Sequence, residues 1–83
     1  MLGPDVVRLR YDIGTNWSGE PALFLRVVLT DQASRRDRLH KVTSRIRALI
    51  EEQIDPLNSW GLFAYVNFRS RSEQEMLKEP AWE

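Results

Sequence analysis

One stretch of this chain repeats its apolar residues at helical spacing and three stretches alternate them as strands do, so a single helix must serve a sheet with two faces. The helical stripe is Leu39, Val42, Ile46, Leu49 and Ile50, all on one side of a 3.6-residue turn. Ser34 stands where an N-cap belongs, with Asp37 three residues on, and the spacing predicts a helix of about 20 residues from there. Asp55-Pro56 ends it, because the residue before a proline is pushed out of helical geometry.

The first strand is read over Asp5 to Ile13, where Val7, Leu9, Tyr11 and Ile13 alternate with Arg8, Arg10 and Asp12. Residues 14–21 are dense in turn formers and make a long connection. The second strand covers Ala22 to Thr30, with an aliphatic set of Leu23, Leu25, Val27 and Leu29 opposite a mixed set of Phe24, Arg26 and Val28. A turn over 56–61 leads to the third strand, Leu62 to Arg69, in which Leu62, Ala64, Val66 and Phe68 alternate with Phe63, Tyr65, Asn67 and Arg69. Ser72 with Glu75 is placed to cap a short terminal helix that Pro80 stops, so residues 72–83 are expected to form a helix and arm.

The resulting order is β-β-α-β, an α+β domain spanning residues 1–83. A helical crossover between strands two and three makes them parallel. The economical sheet then has the order 2-1-3, mixed, with strand one antiparallel between the other two and strand two at an edge. The long helix covers one face, and the other is left for water or a partner. A chain of 83 residues is near the lower limit for one self-sufficient core.

Composition removes several functions. There is no cysteine, so disulfides, thiolate metal sites and a cysteine nucleophile are excluded. No apolar run reaches about 18 residues, and Met1 to Asp5 lacks the basic start and apolar stretch of a secretory signal, so the expected setting is cytoplasmic with no membrane partner. Twelve basic residues balance 12 acidic ones, which argues against coating nucleic acid by bulk charge. The balance is local, however: residues 1–47 hold nine basic and five acidic residues, and residues 48–83 hold three and seven.

Catalysis has little to stand on. His40 is the only histidine and falls on the polar side of the helix with Ser44, Arg47 and Glu51, which is no convergent triad. One histidine cannot build a zinc site, and the acidic pairs lack metal-binding spacing. Gly14 and Gly19 are followed by neither the lysine nor the helix of a phosphate loop. No catalytic residue, cofactor or metal is expected.

The uncovered sheet face is richer. It presents Arg8 and Arg10, then Phe24 and Arg26, then Phe63, Tyr65, Asn67 and Arg69. Aromatics interleaved with arginine form the centres of protein interfaces, and they also stack bases while holding phosphates. On the helix, Arg38, Lys41 and Arg45 line one flank as a basic stripe, against the preference of the macrodipole for acids first. Trp17 and Trp60 are candidates to cap the ends of the core, and Trp82 is the candidate arm for docking on another chain.

Two resemblances bear on the reading. Phe63-Ala64-Tyr65-Val66-Asn67-Phe68 resembles the signature strand of the RNA-recognition motif, whose two outward aromatics stack bases and would be Phe63 and Tyr65 here. The leading basic-glycine pair is replaced by Gly61-Leu62, and that domain needs a second long helix and a fourth strand. Separately, Trp17-Ser18-Gly19-Glu20-Pro21-Ala22, Asn67-Phe68-Arg69-Ser70-Arg71-Ser72-Glu73-Gln74 and Glu79-Pro80-Ala81-Trp82 resemble the blocks of a family of small uncharacterised bacterial proteins. That resemblance implies a bacterial accessory or mobile-cassette gene and brings no activity with it. The expected function is a binding or assembly module that homodimerises through the aromatic and arginine face or an edge strand. A separate protein partner is admitted, and the alternative is an RNA- or single-strand-binding protein.

Overall fold

The computed structural model describes residues 3–83 and contains a three-stranded sheet in the order β1-β2-β3. The elements are β1 (Val6–Thr15), β2 (Pro21–Leu29), the helices α1 (Leu39–Gln53) and α2 (Pro56–Trp60), β3 (Phe63–Ser70), α3 (Arg71–Leu77) and a closing 3-10 turn at Pro80–Trp82. β1 pairs antiparallel with β2, and β2 pairs parallel with β3. The mixed sheet and the parallel relation of β2 and β3 agree with the crossover argument above; the expected order 2-1-3 does not match the observed β1-β2-β3.

β2 is the central strand, not an edge, and its composition explains why. Ala22, Leu23, Leu25, Val27, Val28 and Leu29 are all buried, so both faces of this strand are covered, and a strand covered twice reads as a nearly continuous apolar run. β1 carries Arg8, Arg10 and Asp12 on one face, which suits an edge where charge can reach water. A bulge between Val6 and Arg8 bends the start of that edge.

The core lies between the sheet and α1. Leu23, Leu25, Val27 and Leu29 meet Val42, Ile46 and Ile50, with Ala33 closing one end. Burying a side chain such as Ile46, which is fully enclosed, contributes about 1.5–3 kcal/mol. α1 begins at Leu39, later than Ser34, and has 15 residues. The cause is Thr30: its hydroxyl accepts the Ala33 N–H at 3.1 Å, and the Ser34 hydroxyl donates back to the Thr30 carbonyl at 3.1 Å. Ser34 is therefore spent on a turn and does not cap. Arg35 and Arg36 consequently lie ahead of the helix, which relieves part of the conflict between its basic start and its dipole. At the far end Asp55 takes a left-handed conformation (φ 48°) before Pro56, and α2 fills what reads as a plain turn. Gly61, at φ 66°, returns its N–H to the Leu57 carbonyl at 3.0 Å and closes α2.

α3 starts two residues earlier than Ser72 and Glu75 suggest. Ser70 is the N-cap, its hydroxyl accepting the Glu73 N–H at 3.1 Å. Ser72 instead bonds Asp31 from the β2–α1 connection, donating both its N–H, at 3.0 Å, and its hydroxyl. These bonds, the hydroxyl's first, hold the Asp31 carboxyl below the ordinary aspartate range, with the Arg71 charge adding to them. A carboxylate whose folded pKa is depressed contributes stability above its unfolded pKa and loses it as pH falls through the folded value. Ser72→Ala is therefore expected to cost stability at pH 7, with the difference from the native chain shrinking as pH drops below about 4. Thermal melts at pH 7 and near pH 2.5 check this, and a pH-independent difference would contradict it.

Candidate functional site

The register brings the eight outer-face residues together as the alternation predicts. Arg10, Arg26 and Asn67 form one row across the sheet, and Asp12, Phe24 and Tyr65 form the next. The Phe24 and Tyr65 rings stack with centroids 5.5 Å apart at 18°. Arg26 pairs with Asp12. Asn16 donates to the Tyr65 hydroxyl at 3.1 Å while its own carbonyl oxygen accepts the N–H groups of Ser18 and Glu20, so the β1–β2 loop is tied to this face.

The chain's own C-terminal segment occupies the rest of the face. Trp82 is buried, at 9% exposure, and is not a free arm. The Arg69 guanidinium lies 4.3 Å from its ring centroid, and Arg8 donates to the Trp82 carbonyl at 3.3 Å. Arg69 also reaches Gln74 Oε1 at 2.7 Å and Glu79 at 2.9 Å. Gln74, buried at 3%, donates in turn to the Glu79 carbonyl and to Glu83. Among the described residues no buried side-chain nitrogen or oxygen lacks a partner. The sequence reading missed this lock because a tryptophan two residues past a proline has no periodicity to place it. The apolar Val28 on an otherwise polar face was the available signal, since something had to cover it. Gln74→Ala strands the Arg69 donor and the Glu79 carbonyl together and is expected to cost about 2 kcal/mol, seen as a lower urea midpoint.

What remains open on the outer face is narrow: Phe63 at 38% and Tyr65 at 36%, with Arg10 and Asn67 exposed. The basic stripe on α1 is also partly spent. Arg38 and Arg45 converge on Asp5 at 3.2 and 3.3 Å, and Lys41 alone of the three forms no ion pair among the described residues. Arg47 lies over the Phe68 ring at 5.0 Å. His40 is exposed, and no group of three or more metal-ligating side chains is found among the described residues. No helix of the described residues is long and apolar enough to cross a membrane.

A more apolar opening lies on the helix side. α1 covers β2 and leaves the C-terminal half of β1 bare, with Tyr11 at 65% and Ile13 at 64% exposure. These two residues, with Leu9, Leu23, Leu49 and Trp60, border an apolar groove of about 430 Å³ that opens along the β1 edge. Trp60 is 69% exposed at its rim and Trp17 is 93% exposed at the loop tip, so neither caps the core. The missing piece of the sequence reading was the strand order. With β1 at the edge, Leu9 still packs against the core, and Tyr11 and Ile13 lie beyond the reach of a single helix centred on β2.

The β1 edge itself is unpaired in backbone terms. The Asn16 N–H donates to the Glu20 carbonyl at 2.8 Å, which sets the alternation of the antiparallel ladder. Even-numbered residues from 8 to 14 turn their backbone groups to β2, and Leu9, Tyr11 and Ile13 turn theirs outward. Tyr11 and Ile13 thus combine exposed apolar side chains with unpaired backbone groups, and the half-buried Leu9 adds a third outward-facing backbone position. Comparison with family models, with curated proteins and with solved structures gives no match.

Proposed function

We propose that this chain is a non-catalytic assembly module that self-associates through the free edge of β1. The observation that carries the reading is the coincidence just described: a ten-residue strand, unpaired along its outer edge, whose outward backbone groups include those of Tyr11 and Ile13, each nearly two-thirds exposed. Exposed edges of this kind recruit another strand, and apolar flanks at such an edge add burial that a core this small lacks. β3, the other edge, offers less, because Ala64, Val66 and Phe68 on its helix side are already half-buried. A bacterial origin, as an accessory or mobile-cassette product, rests on the motif blocks at Trp17–Ala22, Asn67–Gln74 and Glu79–Trp82.

A second reading has its own support. The open remnant of the outer face, Phe63 and Tyr65 beside Asn67 and Arg10, is the pairing of ring and cation that takes up single-stranded RNA. Substituting Phe63→Ala with Tyr65→Ala separates the two. On the assembly reading the native mass is unchanged. Halving of the mass would move the interface to the outer face, and loss of a salt-sensitive RNA affinity with the mass unchanged would favour the second reading.

A further inference from the structure

Resting on the reading of β1 as an assembly edge, we infer that the partner is a second copy of this chain, paired β1 to β1 antiparallel about a two-fold axis at Tyr11, in one continuous six-stranded sheet. A two-fold perpendicular to the sheet keeps both α1 helices on one side and requires residues of equal face to oppose each other. Among the registers this allows, charge decides. An axis at Arg10 sets Arg10 against its own copy, and an axis at Asp12 does the same with Asp12. An axis at Tyr11 opposes each Arg10 to the partner's Asp12, twice per dimer, and opposes each Leu9 to the partner's Ile13.

The backbone agrees with that axis. Leu9, Tyr11 and Ile13 carry the outward N–H and C=O groups, so Tyr11 with its copy and Leu9 with Ile13 become the hydrogen-bonded pairs. Arg10 and Asp12 then fall at the non-hydrogen-bonded positions, where opposed side chains stand closest. Arg10 is exposed and makes no ion pair among the described residues, so it is available for a contact between chains. On the helix side the same register places Tyr11 and Ile13 of both copies between the two grooves, closing each with the other's edge.

Arg10→Asp tests the register without endangering the fold, because position 10 lies directly across from Arg26 and the new carboxylate gains an intrachain partner there. It sets like charges opposite each other twice, and the dimer dissociation constant is expected to rise roughly tenfold or more by sedimentation equilibrium. Arg10→Asp with Asp12→Arg restores opposite charges in the same register and should return the constant to within a few-fold of the native value. If Arg10→Asp self-associates as tightly as the native chain while Ile13→Lys dissociates, the register is overturned and the edge reading stands. If the native chain is monomeric, both fall.

Discussion

Trp82→Ala is expected to destabilise the chain by about 3 kcal/mol, the lower end of the cost of emptying a buried tryptophan site. The ring is 9% exposed and holds together contacts that nothing else replaces. Arg69 lies against its face at 4.3 Å, and Arg8 anchors its carbonyl at 3.3 Å. The buried Val28 lies in the row between Arg8 and Arg69, the two arginines that Trp82 engages. A domain of this size commonly holds about 4–12 kcal/mol in total, so the loss is a large share of it. Thermal unfolding should show a midpoint lower by about 12 °C or more. A shift under a few degrees would mean that the C-terminal segment does not hold the outer face in solution. Trp82→Phe keeps an apolar ring in place and should recover much of the loss.

The second large effect concerns association. Ile13→Lys is expected to leave a folded chain that no longer dimerises. Ile13 is 64% exposed in the single chain, so its replacement removes little intrachain packing. In the proposed dimer it would meet the partner's Leu9, and a lysine there would lose that burial and have to shed part of its hydration, once in each copy. Two such losses amount to about 3–4 kcal/mol, or more than about 100-fold in the dissociation constant. The contrast with Trp82→Ala is diagnostic. Trp82→Ala should unfold at lower temperature at every concentration, whereas Ile13→Lys should abolish the rise of melting temperature with concentration that a dimer shows. An Ile13→Lys chain that still sediments as a dimer would move the interface elsewhere.

The faces of the strands were legible in the sequence, and their neighbours were not. Period-two alternation assigns Arg8, Phe24, Tyr65 and Arg69 to one face without reference to strand order, and the register bears this out. Strand order depends on which strand is covered twice. The decisive sign was Val28 beside Val27 and Leu29, three consecutive buried residues in a strand otherwise read as one-sided. The C-terminal lock was hidden for another reason. Gln74, Glu79, Trp82 and Glu83 act through contacts with Arg69 and Arg8, and Trp82 and Glu83 meet Arg8 across more than 70 positions, which no local pattern encodes. Ser34 and Ser72 show the limit of capping rules. Each is a good cap by type and spacing, yet Ser34 is diverted to the Thr30 carbonyl in a local turn and Ser72 to Asp31 across 41 positions.

The same point reshapes the charge balance. Arg8 with Glu83 and Arg69 with Glu79 join strands of the outer face to the C-terminal tail within one chain. Arg38 and Arg45 are drawn to Asp5. The arginines of this face and flank therefore serve mostly as internal fasteners, and Arg10 is left facing outward on the edge where the apolar surface is also open.

Sedimentation equilibrium of the native chain at micromolar concentration tests the central claim most directly. The account predicts a species of twice the 9.7 kDa chain mass that dissociates on dilution. A single species of 9.7 kDa at every concentration would contradict it.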